Sequence, residues 1–393
     1  MNEELTNTKP LSNLHPSGGG EAKIIIAGGG TGGHIFPAVA IANALKAIDS
    51  SIEILFVGAK GKMEMEKVPQ AGYSIKGLDI AGFNRSSMLK NISLPFKIVR
   101  SFYQVKNIFK EFKPDAVVGV GGYSTYPVLK YAQKQGIPTF IHESNSFAGK
   151  SNILLGKHAT KIFVASEGME KFFPADKIMI TGNPVRKIIS ESHVTRSEGI
   201  RFFGLDESKK TILAIGGSLG ARSINEVMLN HCADFATLNI QLIWQTGQNN
   251  AQRYINHGKL FPRNICANEF IQDMDKAYAA ADVVISRAGA MSVAELCVAR
   301  KATVFVPYPH AAEDHQTENA KRLVEQHAAL MVKDSDAPTK LFGTVTDLLM
   351  NEGKCKTLSE NIGKLAVTNA NEIIAKEILA SLNPSKEGTY QND

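Results

Sequence analysis

The stretch Lys23-Ile24-Ile25-Ile26-Ala27-Gly28-Gly29-Gly30-Thr31-Gly32-Gly33-His34-Ile35-Phe36-Pro37 decides the fold. Lys23 to Ala27 is a short, apolar, β-branched run, so it reads as a buried parallel strand. Gly28, Gly29, Gly30, Gly32 and Gly33 follow at once. Such a cluster permits positive φ and lets another molecule approach the backbone closely. Pro37 sits where a helix would begin, and Ala38 to Ile48 continues with helical apolar spacing. Strand, glycine loop and helix together present backbone N–H groups to a ligand.

The loop alone does not choose the ligand. A dinucleotide site wants G-x-G-x-x-G and a carboxylate closing the next strand. Here the strand Ile52 to Val57 runs into Gly58-Ala59-Lys60 instead. His34 is also unusual in a dinucleotide loop, and a tight structural turn with His34 satisfied by backbone is the other reading.

Outward from this stretch, the first half alternates strand and helix. Further strands are read at Tyr73 to Ile80, Asp115 to Val120, Pro138 to Ile141, Lys161 to Ala165 and Ile178 to Ile180. This pattern predicts a parallel, doubly wound α/β sheet with ligands at its carboxyl edge. Thr181 to Arg186 is a turn-rich break, and the domain boundary is placed near Arg186. Then Thr211 to Ile215 and Gly216-Gly217-Ser218-Leu219-Gly220 repeat the opening device. Strands at Gln241 to Trp244, Ile265 to Phe270, Asp282 to Ser286 and Ala302 to Val306 build a second α/β domain. Ligands prefer the cleft between two such domains. The expected divisions are a disordered leader over 1–22, domains over 23–185 and 186–365, and a C-terminal helix and tail over 366–393.

With 393 residues, 44% hydrophobic and 21% charged, the chain has the composition of a globular protein with a large core. The four cysteines have no paired or metal-like spacing, which fits a reducing compartment. No apolar run approaches the roughly 20 residues needed to span a bilayer. The formal charge of +6 is mild: it suits anionic lipid or phosphorylated substrates and does not argue for nucleic acid.

Gly82 to Lys113 carries seven basic residues and one acid, Glu111. Ile98, Phe102, Val105 and Phe109 form a helical stripe, the mark of a core-facing helix with a solvated basic face. Phe83, Met88, Leu89 and Phe96 lie beside the basic residues, and that pairing is the physics of a peripheral membrane contact. Both readings stand.

Ser286 to Glu295 reads as a strand end, a turn, and a helix carrying Glu295. A carboxylate there faces the cleft and can accept from the vicinal hydroxyls of a sugar; stabilisation by the helix dipole is the plainer reading. Downstream, Glu313 to Ala320 is a polar loop entering a helix. His315 beside Glu313 and Asp314 suggests a metal only weakly, because adjacent ligands at a helix start rarely converge. No metal and no cofactor are expected.

The motifs GGGTGGHIFP, GGYST, HESNSFAG, TGNPVR, GGSLGA, SRAGAMSVAE and EDHQTENA follow one another in the order seen in the MurG family of peptidoglycan glycosyltransferases. The resemblance runs from about Ala22 to beyond Leu330. It implies a GT-B fold, two doubly wound Rossmann-like domains with a cleft between them. It implies inverting, metal-independent transfer of N-acetylglucosamine from UDP-N-acetylglucosamine to the muramoyl 4-hydroxyl of lipid I, at the cytoplasmic face of the inner membrane. The implied partners are those two substrates and an anionic membrane surface.

Residue by residue, the resemblance implies that Thr31, Gly32 and Gly33 lie at the donor sugar and acceptor diphosphate, and that Asn145 touches the donor sugar. Arg186 and Ser218 take the nucleotide diphosphate side. Ile271 meets uracil through its backbone. Ala290, Met291 and Ser292 line the diphosphate, Glu295 holds the ribose, and Gln316 bonds the transferred sugar. Ser144 and Leu219 stand where many members carry Gln, and Thr317 and Glu318 also differ from some members. His34 is the expected base, since an imidazole titrates near neutrality. Glu143 is its rival, and binding the acceptor phosphate is the other role open to His34. Another lipid-directed glycosyltransferase of this fold and a non-catalytic nucleotide-sugar-binding module are the alternative functions.

Overall fold

The computed structural model describes residues 21–81, 94–261, 263–311 and 314–382. The leader expected over 1–22 lies outside them as far as Gly20, as do the tail from Asn383 and the residues Phe83, Met88 and Leu89. Ala22 is buried, and its carbonyl accepts from the Glu53 N–H.

The described strands form two parallel sheets. The first contains β1 (Lys23–Ala27), β2 (Glu53–Ala59), β3 (Ser74–Leu78), β4 (Ala116–Gly119), β5 (Thr139–Glu143), β6 (Lys161–Val164) and β7 (Ile178–Ile180). The second contains β8 (Lys210–Ile215), β9 (Ile240–Gln245), β10 (Ile265–Asn268), β11 (Val283–Ser286), β12 (Ala302–Phe305) and β13 (Leu330–Met331). The spatial orders are 3-2-1-4-5-6-7 and 10-9-8-11-12-13. Each sheet therefore reverses direction beside its first strand, between β1 and β4 and between β8 and β11. Open α/β sheets bind ligands in the crevice at that reversal. The two glycine loops, 28–33 and 216–218, open at those crevices.

The central strands are apolar because helices cover both faces, whereas the edge strand β3, Ser-Ile-Lys-Gly-Leu, is partly exposed. Ile24 and Ile26 point into one core and Ile25 and Ala27 into the other. Ile212 and Ala214 likewise oppose Leu213 and Ile215 in the second sheet. The C-terminal helix Ala370–Leu382 returns to the first sheet. Its Ile374, Ile378 and Leu379 pack into the core shared with Ile41 and Leu45.

The first helix, α1, spans Gly32–Ile48 and starts five residues before the expected Pro37. Pro37 lies inside it, where the missing N–H leaves the Gly33 carbonyl without its helical donor. The other helices around the first sheet include α2 (Glu64–Gln70), α3 (Leu94–Phe112), α4 (Thr125–Lys134) and α5 (Lys150–Gly156). On α3, Val105 and Phe109 face the core as the stripe predicts, while Ile98 is 37% exposed. Phe96, Val99 and Tyr103 stand 77%, 71% and 67% exposed on the same helix as Lys97, Arg100, Lys106 and Lys110.

Candidate active site

The first wall of the site is the glycine loop. Thr31 caps α1, so the N–H groups of Gly32 and Gly33 open the helix with no earlier carbonyl to bond. The loop is shaped from below by Glu64 on α2, which is 1% exposed. Its Oε2 accepts from Gly30 N–H at 2.7 Å and its Oε1 from Ala59 N–H at 2.9 Å. A Cβ on Gly29, whose φ is +146°, would lie 2.3 Å from the Glu64 carboxyl carbon. Gly122 passes over the loop so closely that a Cβ there would lie 2.4 Å from the Gly29 oxygen.

His34 occupies the first turn of α1. Its Nδ1 lies 3.0 Å from the Gly29 carbonyl oxygen. A carbonyl only accepts, so Nδ1 carries the proton and Nε2 keeps a lone pair. That is the tautomer a base needs. His142, on β5, is wholly buried, and neither ring nitrogen has a partner among the described residues. Desolvation lowers the His142 pKa to about 4, with the nearby His34 adding to it and the Gly182 backbone working weakly against it. It is neutral at physiological pH.

Glu143, the rival base, is committed elsewhere. Its carboxylate is 4% exposed and accepts four donors. These are Asn145 N–H at 3.1 Å, Asn145 Nδ2 at 3.2 Å, Gly149 N–H at 3.0 Å and Asn152 Nδ2 at 2.9 Å. The carboxylate holds the HESNSFAG loop in shape, and Asn145 is one of the groups it orients.

The opposite wall is the edge of the second sheet. Helix Ala290–Ala299 is capped by Gly289, so Ala290, Met291 and Ser292 supply its free first-turn N–H groups. Glu295 lies in the second turn of this helix, just past its first turn. Its carboxylate is not waiting open for a ribose. Oε1 accepts from Arg186 Nε at 2.9 Å; Oε2 accepts from Arg186 Nη2 at 3.1 Å and from the Tyr278 hydroxyl at 3.2 Å. Arg186 is thus paired with a carboxylate where a phosphate was expected, and its guanidinium stacks 4.5 Å from the centroid of the Phe36 ring on α1. Burial works against the Arg186 charge, and the Glu295 carboxylate more than restores it, holding the pKa above the usual arginine value.

Gln245, which sequence reasoning passed over, ties the nucleotide side together. Its Nε2 donates to the Gly217 carbonyl at 3.3 Å and its Oε1 accepts from Ile271 N–H at 3.0 Å. The Ile271 N–H is therefore already used, which leaves its carbonyl for any backbone contact. The Ser218 carbonyl accepts from Gln248 N–H at 3.1 Å. Arg287 buttresses the next loop by donating to the carbonyls of Val306 and Pro307, at 2.9 and 3.0 Å, and by pairing with Asp334. Gln316 Oε1 accepts from Tyr308 N–H at 3.0 Å.

The two walls meet. The α1 helix contacts helix Ala290–Ala299, Arg186 bridges Phe36 to Glu295, and Asn183 Nδ2 donates to the carbonyls of Ser144 and Ala290. Arg322 Nη1 reaches Ser146 Oγ at 3.2 Å. Thr31, Gly32, Gly33, His34, Arg186 and Glu295 are gathered here. Among the described residues no hydrogen bond joins Ser218, Ile271 or Gln316 to the first sheet's loops. Also among them, no three His, Cys, Asp or Glu side chains are grouped so as to hold a metal ion. Glu313 lies outside them.

Two family models match the chain: the glycosyltransferase family 28 N-terminal domain over residues 24–164 and the C-terminal domain over 211–376. Proteins from Phocaeicola vulgatus and Bacteroides fragilis are 51% and 50% identical to it. The matches cover 91% and 92% of this chain and 95% and 96% of theirs. Both carry the name UDP-N-acetylglucosamine–N-acetylmuramyl-(pentapeptide) pyrophosphoryl-undecaprenol N-acetylglucosamine transferase. The crystal structure of Acinetobacter baumannii MurG superposes with a TM-score of 0.68 at 30% identity, covering 91% of this chain and 99% of that one. The chain belongs to the MurG family. A MurG-family chain is a glycosyltransferase of GT-B fold, and both α/β sheets have the expected form. A UDP-N-acetylglucosamine 2-epimerase structure, 15% identical with a TM-score of 0.65, shares the fold alone.

Proposed function

We propose that this protein transfers N-acetylglucosamine from UDP-N-acetylglucosamine to the muramoyl 4-hydroxyl of lipid I, forming lipid II for the cell wall. The observation that carries this reading is 50–51% identity over more than nine-tenths of both chains with relatives named for that transfer.

The site supports a direct displacement. The acceptor oxygen attacks the anomeric carbon, the bond from that carbon to the phosphate oxygen breaks, and UDP leaves with the electron pair. The anomeric centre inverts. The hydroxyl proton goes to His34 Nε2. Charge on the departing UDP meets the N–H groups of Ala290, Met291 and Ser292, the Gly216-Gly217-Ser218 loop, and Arg186. Arg186 shares Glu295 with the incoming nucleotide or leaves it, which frees carboxylate oxygen for the ribose. Ile271 offers its carbonyl to uracil. Thr31, Gly32 and Gly33 line the acceptor diphosphate, with Asn145 and Gln316 on the transferred sugar. Catalysis needs no metal or other cofactor, because fixed dipoles and one guanidinium supply the positive field.

Residues 23–185 hold the acceptor and residues 186–365 hold the nucleotide sugar. The first domain meets the cytoplasmic face of the inner membrane through α3, where Phe96, Val99 and Tyr103 stand beside basic residues. No described helix is long and apolar enough to cross a membrane. Nucleic acid is not a partner.

The test is product analysis. Incubation with UDP-N-acetylglucosamine, a lipid I analogue and a chelator yields a β-(1→4)-linked disaccharide. Diacylglycerol offered in parallel stays unglycosylated; its glycosylation would transfer the reading to another lipid-directed enzyme of this fold.

A further inference from the structure

Glu64 stands out from the rest of the molecule. It is a buried carboxylate, yet among the described residues no cation lies within ion-pair distance. Its two bonds go to backbone N–H groups, and one of them belongs to the peptide unit that joins Gly29 to Gly30. That same peptide faces His34 with its other end. Glu64 Oε2 accepts from Gly30 N–H at 2.7 Å, and Gly29 O lies 3.0 Å from His34 Nδ1.

We infer that Glu64 is a positioning residue for the base, acting on His34 through the Gly29–Gly30 peptide. A trans peptide holds its C=O and N–H antiparallel. An anion on the N–H side polarises the amide and makes the carbonyl oxygen a stronger acceptor. That oxygen then holds the His34 Nδ1–H more firmly and stabilises the imidazolium formed when Nε2 takes the acceptor proton. The arrangement does what a carboxylate does when it bonds a catalytic histidine directly, with one amide interposed. No proton moves along it, and Glu64 stays a carboxylate throughout.

The packing supports a directed role. A Cβ on Gly29 or Gly58 would collide with the Glu64 side chain at 2.3 and 2.5 Å, so the loop and the end of β2 are built around it. Other titratable groups lie around this turn as well. His142 on β5 is near His34 but neutral, and the Arg186 guanidinium lies against Phe36 two residues on. Gly121, on the β4 side, brings no charge. Glu64 on α2 is the anion among these neighbours.

This inference rests on His34 as the base, and the test separates the two claims. In the full chain, the His34 imidazole is titrated by NMR, with its signal assigned by its loss in H34A. The pH profile of kcat/KM is measured on the same proteins. In E64Q the His34 pKa falls by about half a unit or more, since a neutral amide replaces the anion. The acid limb moves with it, kcat drops several-fold and the KM for UDP-N-acetylglucosamine is unchanged. G58A keeps the charge but displaces the carboxylate. It gives the same direction and serves if E64Q does not fold. An unmoved His34 titration in whichever variant folds overturns the proposal, even if that variant melts lower. If H34A retains turnover, the base assignment fails, and the NMR shift still decides the relay.

Discussion

Arg186 and Glu295, 109 positions apart, form a two-pronged ion pair with N···O distances of 2.9 and 3.1 Å. Their side chains are only 16% and 9% exposed. The pair also touches the first domain through Phe36, so the residue proposed for phosphate and the residue proposed for ribose are coupled before any ligand arrives. Removing one partner strands the other. Glu295→Ala is expected to lower the unfolding free energy by about 3 kcal/mol, measured by urea titration, because Arg186 is left buried without a counter-charge. A loss below about 1 kcal/mol would show that water reaches the pair freely.

Arg186→Lys is expected to behave almost like Arg186→Ala in UDP binding, with affinity down about tenfold or more by calorimetry. An ammonium cannot grip both Glu295 oxygens and lie flat on Phe36 at once. Near-normal affinity in the lysine variant would reduce Arg186 to a point charge.

Glu143→Gln separates scaffold from base. The substitution puts an NH2 where the carboxylate accepts from Gly149 N–H and Asn152 Nδ2, so the loop carrying Asn145 shifts. The donor KM is expected to rise about tenfold with the acid limb of kcat/KM in place, since hydrogen bonds to a charged group are worth about 1.5–3 kcal/mol each. Disappearance of the acid limb would restore Glu143 as the base.

His142 sets an acid-stability window. Its pKa is lowered from 6.5 to about 4 when folded, so the unfolded chain binds its proton first. The contribution is present above pH 6.5 and is lost as pH falls toward 4, amounting to about 3 kcal/mol at full extent. His142→Gln is expected to lose correspondingly less stability than the parent between pH 7.5 and pH 4.5. Parallel losses in denaturant titrations would contradict this.

Phe96→Glu on α3 is expected to weaken binding to anionic vesicles about tenfold or more in sedimentation, because an inserted phenyl is worth about 1.5–3 kcal/mol. Unchanged binding would move the membrane contact off this helix.

The central strands were legible because they are short, largely β-branched runs with helices on both faces, so almost every residue is apolar. The glycine loops were legible because no other residue type fits where Gly122 crosses Gly29. Two features were not. Pro37 looks like a helix start to any local rule, yet the helix dipole is needed at Gly32, so the helix begins earlier and tolerates the proline. Glu64 looks like a surface acid of a charged helix; only the β2-to-α2 turn brings it beneath a loop more than thirty positions upstream. The two-residue strand Leu330–Met331 carries too little pattern to be seen. Arg186 and Glu295 were each singled out, but the sequence assigned both to ligands. Nothing local announces that two such residues bond each other.

The most direct test of the central claim is steady-state UDP release from UDP-N-acetylglucosamine by the purified full chain in chelator, with and without a lipid I analogue. The account predicts release that depends on the analogue and falls about a hundredfold or more in H34A. UDP binding with no analogue-dependent release would contradict it and leave a nucleotide-sugar-binding protein of the same fold.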